Sequence, residues 1–159
     1  MSNSRRSAAF WIQAWWPVAL ATTVIFMEST VTMGADHTAG PIRRLLEYFF
    51  GPFSELTFQN IHFLIRKSGH FIGYGLVGLS WLHAAWRLRP HWNYLRCELV
   101  GLAGAFLTAC CDELHQSFLP NREGCFRDVL IDTVGAFVLA TLAWCVLRIF
   151  YKFALRNPR

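Results

Sequence analysis

The residue types that could do chemistry in this 159-residue chain gather at the edges of apolar segments. Residues 112–116, with the sequence DELHQ, close one apolar run, and Asp128 and Asp132 open the next. Polar groups at the edge of a bilayer-length segment are costly, so they are usually present for function. Carboxyl, imidazole, amide and guanidinium groups can bind hydroxyls or anions, and several of them can transfer protons. The candidate ligand-binding residues are Lys67, His70, Tyr74, Asp112, Glu113, His115, Gln116, Arg122, Asp128 and Asp132.

The first group of candidates shares one face of a predicted helix. Lys67, His70 and Tyr74 are spaced i, i+3 and i+7, which places them on the same side of that helix. Gly69 and Gly73 form a GxxxG pair, and such a pair predicts that a neighbouring backbone approaches closely. We therefore expect this part of the helix to lie against another helix.

The second group occupies the next two predicted helices. Asp112, His115 and Gln116 are spaced i, i+3 and i+4 on one face, and Asp128 and Asp132 are one helical turn apart. The connection between the two helices is rich in turn-forming residues, so the two sets should lie at the same end of the bundle. We expect both groups to converge in one polar cavity near the outer leaflet.

Three functions are compatible with such a cavity. In a binding protein, Lys67, Arg122 and Arg127 would meet an anionic group, while the acidic and amide side chains would orient hydroxyls. In a membrane hydrolase or transferase, His70 or His115 would act as general acid or base. In a structural protein, the same groups would form buried ion pairs that fix helix register.

The spacing of the acidic and histidine residues does not favour a metal site. The sequence has no HExxH or DxD-like pattern, and an Asp and a His one helical turn apart are commonly hydrogen-bonded partners. No Ser, Thr or Cys stands in a recognised nucleophile motif, and the five cysteines suggest no disulfide framework. We therefore assign no metal, no cofactor and no catalytic residue, and we leave open whether there is turnover.

The composition places the chain in a membrane. Hydrophobic residues make up 54% of the chain and charged residues 16%, and the mean hydropathy is +0.31. A soluble domain carries about 25% charged residues. The formal charge of +5 comes from residues at segment ends and forms no stripe typical of nucleic-acid binding. The expected partner is the lipid bilayer, with an envelope lipid or glycan as a possible ligand and no nucleic acid; the oligomeric state stays open.

The predicted fold is all-α, a polytopic membrane bundle of four transmembrane helices in one domain, residues 1–159. Each predicted span is close to the roughly 20 residues that a helix needs to cross the hydrocarbon core. The first span exceeds the apolar core of a typical signal peptide, so we favour a retained helix. The spans are about 10–32, 68–86 with an apolar lead-in at 61–65, 95–118 and 129–151.

The distribution of Lys and Arg predicts that both termini are cytoplasmic. Nine basic residues fall on the inner side in this orientation and six on the outer side. The apolar-aromatic stretch 45–53 would then be a short helix on the outer surface or a lid over the cavity. The inner residues are Arg5, Arg6, Arg87, Arg89, Arg96, Arg148, Lys152, Arg156 and Arg159, and the outer ones are Arg43, Arg44, Arg66, Lys67, Arg122 and Arg127.

Two segments of the sequence resemble the VanZ-like membrane proteins. They are KSGHFIGYGLVG, residues 67–78, and DELHQSFLPNREGCFRDVLIDTVGA, residues 112–136. The family pattern is Lys-x-x-His-Phe-x-x-Tyr, then Asp-Glu-x-x-Gln, a Pro-Gly-Arg turn, and Asp-x-x-x-Asn or Asp before a Gly. Asn121 stands where the family more usually has glycine.

The resemblance implies a small multi-span protein of the bacterial cell envelope, and we expect it in the inner membrane. Its polar cavity is expected to recognise an envelope lipid, sugar or glycopeptide-type ligand. The founding member of the family is associated with low-level resistance to the glycopeptide teicoplanin. Most relatives occur away from any resistance cluster, so a resistance role does not carry over to this chain.

Overall fold

The computed structural model describes residues 6–120 and 124–156, with the backbone alone from residue 151. Within these residues the chain forms helices and turns and has no strand, so the all-α prediction is confirmed. A short 3-10 turn, Val31–Met33, follows the first helix. The helices are α1 Ala8–Glu28, α2 Ala35–Phe50, α3 Glu55–Leu88, α4 Tyr94–Gln116 and α5 Phe126–Arg156.

Short polar side chains determine where three of the helices begin. Ser7, Ser54 and Asn93 precede α1, α3 and α4, and each side-chain oxygen accepts a hydrogen bond from the backbone N–H three residues ahead. This satisfies one of the amide groups that a helix leaves unpaired at its start. Gly51 ends α2 with a φ of +81°, a conformation that favours glycine.

The helix α3 is the centre of the bundle, because it packs against α1, α4 and α5. It is one continuous helix of 34 residues, so the predicted lead-in at 61–65 belongs to the same helix as the predicted span. At 1.5 Å per residue its length is about 51 Å, longer than the roughly 30 Å of a hydrocarbon core. The helix is therefore about 20 Å longer than a perpendicular crossing of the core requires.

Glycines allow the close contacts of α3, but they are not the predicted pair. A Cβ on Gly69 would meet open space, and one on Gly73 would meet only the side chain of Ile25. The two glycines themselves therefore make no backbone contact, although Phe71, which lies between them, meets the backbone of Gly135 in α5. A second backbone contact lies further along, where a Cβ on Gly101 of α4 would lie 2.7 Å from the carbonyl oxygen of Gly78.

Three helices are long and apolar enough to cross a membrane among the described residues: Ala8–Glu28, Tyr94–Gln116 and Phe126–Phe150. The prediction of four spans is confirmed for these three and stays a prediction for α3. The mean hydropathy of α3 is reduced by glycine, histidine, tyrosine and serine residues, several of them buried. A helix surrounded by other helices needs less apolar surface than one that faces lipid.

The predicted span ends differ from the helix ends by about one turn. The first span was expected to reach residue 32, but α1 ends at Glu28. The Thr30 hydroxyl donates to the Met27 carbonyl at 2.7 Å and so competes with continuation of the helix. Likewise α4 ends at Gln116, two residues before the predicted end of the third span.

The surface helix predicted at 45–53 is longer and begins earlier. α2 starts at Ala35 and ends at Phe50, and its second half exposes Leu45, Tyr48 and Phe49. The first half lies nearer the bundle and contributes Thr38 to a contact with α3. The helix therefore combines a covering role with an exposed apolar face.

Candidate functional site

The candidate site lies where α1 and α4 end and α5 begins, which we call the polar end of the bundle. Lys67 of α3 is paired with Asp128 of α5, with 2.5 Å between Nζ and Oδ1. One turn along both helices, His70 Nδ1 lies 3.9 Å from Asp132 Oδ2, which is too far for a hydrogen bond. The predicted faces of α3 and α5 therefore meet each other.

The close approach of α3 and α5 has a local cause in glycine. A Cβ on Gly135 would overlap the carbonyl oxygen of Phe71, so only glycine permits this contact. Gly135 lies one turn beyond Asp132, and Phe71 follows His70. The contact therefore sets the distance between the imidazole and the buried carboxyl group.

Tyr74 occupies the middle of the cluster and is completely buried. Its ring stacks against His70 with 6.2 Å between the ring centroids, and its hydroxyl lies within electrostatic range of Asp112 and Asp132. Among the described residues, the hydroxyl and Asp132 Oδ2 are buried without a hydrogen-bond partner. Unpaired buried polar atoms are rare and call for a specific explanation.

The helix α4 contributes two buried acids and an amide. The Gln116 side-chain amide donates to Asp112 Oδ2 at 2.9 Å and to the hydroxyl of Ser29, at the end of α1, at 3.3 Å. Glu113 Oε2 accepts from the backbone N–H of Cys125 at 2.7 Å and so holds the start of α5 against the end of α4. All three α4 side chains are at most 6% exposed.

His115 lies on the side of α4 that meets α1. Its ring stacks on Phe26 with 5.0 Å between centroids. Its Nδ1 atom is buried and has no hydrogen-bond partner in the described part of the chain. This contact depends on how α1 crosses α4, which the spacing of residues in one helix does not contain.

The three cations predicted for the site have different outcomes. Arg122 lies outside the described residues, and Arg127 is exposed at the start of α5. Lys67 is already paired with Asp128. The predicted meeting of three cations with an anionic group is therefore not visible among the residues described.

A cavity of about 180 Å³ opens beside the cluster, between α1, α2 and α3. Glu28, Arg66, His70 and Thr38 provide its polar lining. Thr38 also hydrogen bonds to His62 at 3.1 Å, which ties α2 to α3 beside the cavity. His70 therefore lies between the cavity and the buried carboxyl group of Asp132.

Four residues of this end were not among the predicted site residues. Glu28 and Arg66 had a signal, since each places a charge at the edge of an apolar segment. The spacing of Ser29 and Thr38 along the chain gave no signal that they belong to the site. Their roles depend on how α1 and α2 pack against other helices. Sequence periodicity within a helix cannot supply that information.

The turn from α2 to α3 forms a second, separate ionic group. Arg43 bonds Glu47 at 2.9 Å and Glu55 at 2.5 Å, and it also donates to the carbonyl of Phe53 at 3.3 Å. The hydrogen bonds from the Arg43 guanidinium group hold the pKa values of Glu47 and Glu55 below the ordinary value of a glutamate. These groups are exposed, so they contribute to the shape of the turn more than to its stability.

The described residues hold no group of three or more His, Cys, Asp or Glu side chains that could bind a metal ion. This observation leaves the sequence prediction of no metal untested, because the segment 121–123 is not described.

Comparison with known proteins gives one match. The profile of the family described as VanZ/LLP1 matches residues 14–150, which include every predicted site residue. No curated protein and no solved structure matches the chain. Together with the apolar helices, the family match indicates a multi-pass membrane protein.

Proposed function

The chain belongs to the VanZ/LLP1 family, and we propose that this member binds a hydroxyl-rich head group at the polar end of its bundle. The ligand would be an envelope lipid, sugar or glycopeptide-type molecule. The observation that carries the proposal is the cavity beside His70, lined by Glu28 and Arg66 and backed by buried acids.

The charge of the polar end favours hydroxyls over an anionic group. Three described cations, Arg66, Lys67 and Arg127, stand against five carboxyl side chains, and Lys67 is already paired with Asp128. Carboxylates accept hydrogen bonds and repel anions, whereas hydroxyls donate to them. The five acids are Glu28, Asp112, Glu113, Asp128 and Asp132.

The unpaired atoms of the cluster suit the same class of ligand. The Tyr74 hydroxyl can donate or accept, and Asp132 Oδ2 can accept a hydrogen bond from a hydroxyl. His70 lies between these atoms and the cavity, so it can transmit a contact with the ligand to Asp132. A cavity of about 180 Å³ has the room of about six waters, which suits one sugar-sized group.

A second candidate function is that of a membrane hydrolase or transferase. The observation that favours it is the pairing of His70 with the nearly fully buried Asp132 at the wall of the cavity. A carboxylate behind an imidazole can orient it as a general base, and such contacts often tighten only when substrate is bound. Loss of the sugar group during incubation with a glycolipid would select this function over simple binding.

The topology completes the proposal. We propose that α3 crosses the bilayer as a fourth span and that both termini are cytoplasmic, which places the polar end at the outer leaflet of a bacterial inner membrane. The whole chain, residues 1–159, would then form one membrane domain. The excess of inner Lys and Arg residues supports this orientation.

A binding experiment tests the proposed ligand class. The full chain in a neutral detergent is titrated with glucosyl diacylglycerol, with diacylglycerol and with phosphatidic acid, and its melting temperature is measured. We expect the glycolipid, but not diacylglycerol, to raise the melting temperature, because a ligand at about 100 times its Kd stabilises by about 2.7 kcal/mol. Stabilisation by phosphatidic acid but not by the glycolipid would refute the proposal.

Matched variants identify the site in that experiment. Glu28→Gln and His70→Ala should weaken the effect of the glycolipid, since both residues line the cavity. Glu98→Gln makes the same chemical change on α4 at the opposite end of the bundle and should leave the effect intact. If no tested lipid stabilises the wild type, the polar end is better explained as a set of buried ion pairs that fix helix register.

A further inference from the structure

A long apolar groove runs between α1 and α3, away from the polar end. Its volume is about 660 Å³, and its walls include Trp16, Leu20 and Val24 of α1 and Leu76 and Leu79 of α3. From Gln13 to Ile25 the groove follows thirteen residues of α1, a rise of about 18 Å. This is close to the thickness of one leaflet, about half of the 30 Å hydrocarbon core.

The far end of the groove is basic. Arg87 and His83 line it there, near the end of α3, beside Gln13 near the start of α1. Arg6 lies at the same end, where it donates to the carbonyl of Leu88 at 3.0 Å. None of the lining residues, within the part of the chain that the structure describes, is acidic.

Arg87 has a donor that its protein contacts do not use. Its Nη2 atom donates to the side-chain oxygen of Gln13 at 2.6 Å, and its guanidinium group lies 5.5 Å from the ring of Phe10. Its Nε atom is buried and has no acceptor among residues 6–120 and 124–156. A helix-capping role at the end of α3 accounts for a positive charge there but not for a buried N–H without an acceptor on a residue that lines the groove.

We propose that this groove binds an anionic phospholipid, with the phosphate at Arg87 and one acyl chain between α1 and α3. Basic pockets between membrane helices suit phosphate head groups, and the matched length of the groove suits a chain of the same leaflet. The site is at the opposite end of the bundle from the proposed head-group cavity and does not depend on it.

The two parts of this site contribute differently. An acyl chain gains little by leaving other lipid chains for an apolar groove, because the bilayer is as apolar as the protein surface. Selectivity among lipids therefore comes from the phosphate contact with Arg87, while the groove holds the lipid in place. Free inorganic phosphate should consequently bind much more weakly than a phospholipid.

Native mass spectrometry of the full chain in neutral detergent tests the site. The probes are phosphatidylglycerol and diacylglycerol of the same chain length, of which the second lacks the phosphate, and the measured quantity is the fraction of protein that retains lipid. We expect the wild type to prefer phosphatidylglycerol by about tenfold, the effect of one charge-assisted hydrogen bond. Excess inorganic phosphate should not displace the lipid.

Two variants separate the head-group contact from the groove. Arg87→Gln should remove the preference for phosphatidylglycerol, and Leu20→Trp, which fills the groove without changing charge, should reduce retention of both lipids. Arg148→Gln is the matched control, because Arg148 is an exposed arginine near the end of α5 that lies over Trp144 and not in the groove. Melting temperatures without lipid establish that each variant is folded.

Three results would overturn the inference. They are equal retention of the two lipids by the wild type, an equal loss of preference with Arg148→Gln, and unchanged retention with Leu20→Trp. If Arg87→Gln fails to fold, Leu20→Trp and the wild-type lipid preference still decide the question.

Discussion

The most informative single change at the polar end is Gln116→Ala. The Gln116 amide joins two helices, since it donates to Asp112 within α4 and to Ser29 at the end of α1. All three side chains are at most 5% exposed, so water cannot replace the lost hydrogen bonds without opening the bundle. The substitution leaves one carboxyl oxygen and one hydroxyl without this partner.

The magnitude follows from the two contacts. A hydrogen bond to a charged group contributes about 1.5–3 kcal/mol. The contact to Ser29 is longer, at 3.3 Å, and interhelical hydrogen bonds inside membrane proteins average about 0.6 kcal/mol. We therefore expect Gln116→Ala to reduce the free energy of unfolding by about 2–3 kcal/mol.

The chain contains a matched control for this change. Gln59 donates to Glu55 at 3.1 Å with the same four-residue spacing, but the contact is exposed. Gln59→Ala should reduce the free energy of unfolding by less than about 0.5 kcal/mol. Both variants are compared with the wild type by reversible unfolding in lipid–detergent micelles.

A double-mutant cycle tests the link between α1 and α4 directly. Gln116→Ala combined with Ser29→Ala should show a coupling energy of about 0.5 kcal/mol or more. The reasoning is refuted if Gln116→Ala is no more destabilising than Gln59→Ala. A coupling of zero in the cycle would show that the two helices are not joined through this amide.

Three further predictions concern helix packing, the α2–α3 turn and topology. Gly101→Val should prevent close packing of α3 on α4 and lower the melting temperature, whereas Gly69→Ala, which meets open space, should change it little; equal effects would contradict the packing. The pKa values of the two glutamates that bond Arg43 are lowered, so their stabilisation of the turn is present above the ordinary glutamate pKa of about 4.3 and lost as the pH falls below it. After correction for intrinsic rates, amide hydrogen exchange in the turn should therefore become faster below that pH in the wild type. In Arg43→Gln the corrected exchange rate should not depend on pH in this range. The same pH dependence in the variant as in the wild type would contradict this assignment. The topology is tested with variants that carry a single cysteine. A membrane-impermeant thiol reagent added from outside the cell should label the variant that keeps only Cys125 and should not label the variant whose only cysteine is Arg89→Cys. The reverse pattern would invert the topology.

The length of the apolar segments was sufficient to predict four of the five helices, whereas α2 was predicted only in part. Each predicted span corresponds to a helix with ends within about one turn, apart from the longer α3, because apolar length is a local property. Spacing also predicted that Lys67 and His70 share one face of their helix and that Asp128 and Asp132 share one face of theirs. The structure then brings these two faces together.

The apolar character of α3 shows a limit of the same reasoning. By length it resembles a spanning segment, yet its composition is less apolar than that of α1, α4 and α5. The structure supplies the reason, since α3 is enclosed by three neighbours and buries small and polar residues against them. A helix that packs against other helices can contain small and polar residues, whereas a helix that faces lipid needs apolar ones. A single sequence does not show which of the two environments surrounds a given helix.

The sequence by itself therefore determined the helices and the end of the bundle at which the polar residues gather. Only the tertiary structure decided that His115 stacks on Phe26, that Gln116 reaches Ser29, and that α2 brings Thr38 to the cavity. The physical reason is that these contacts depend on how helices cross, and crossing is set by the shapes of two surfaces together. Spacing along one helix specifies which residues share a face but not which partner that face meets.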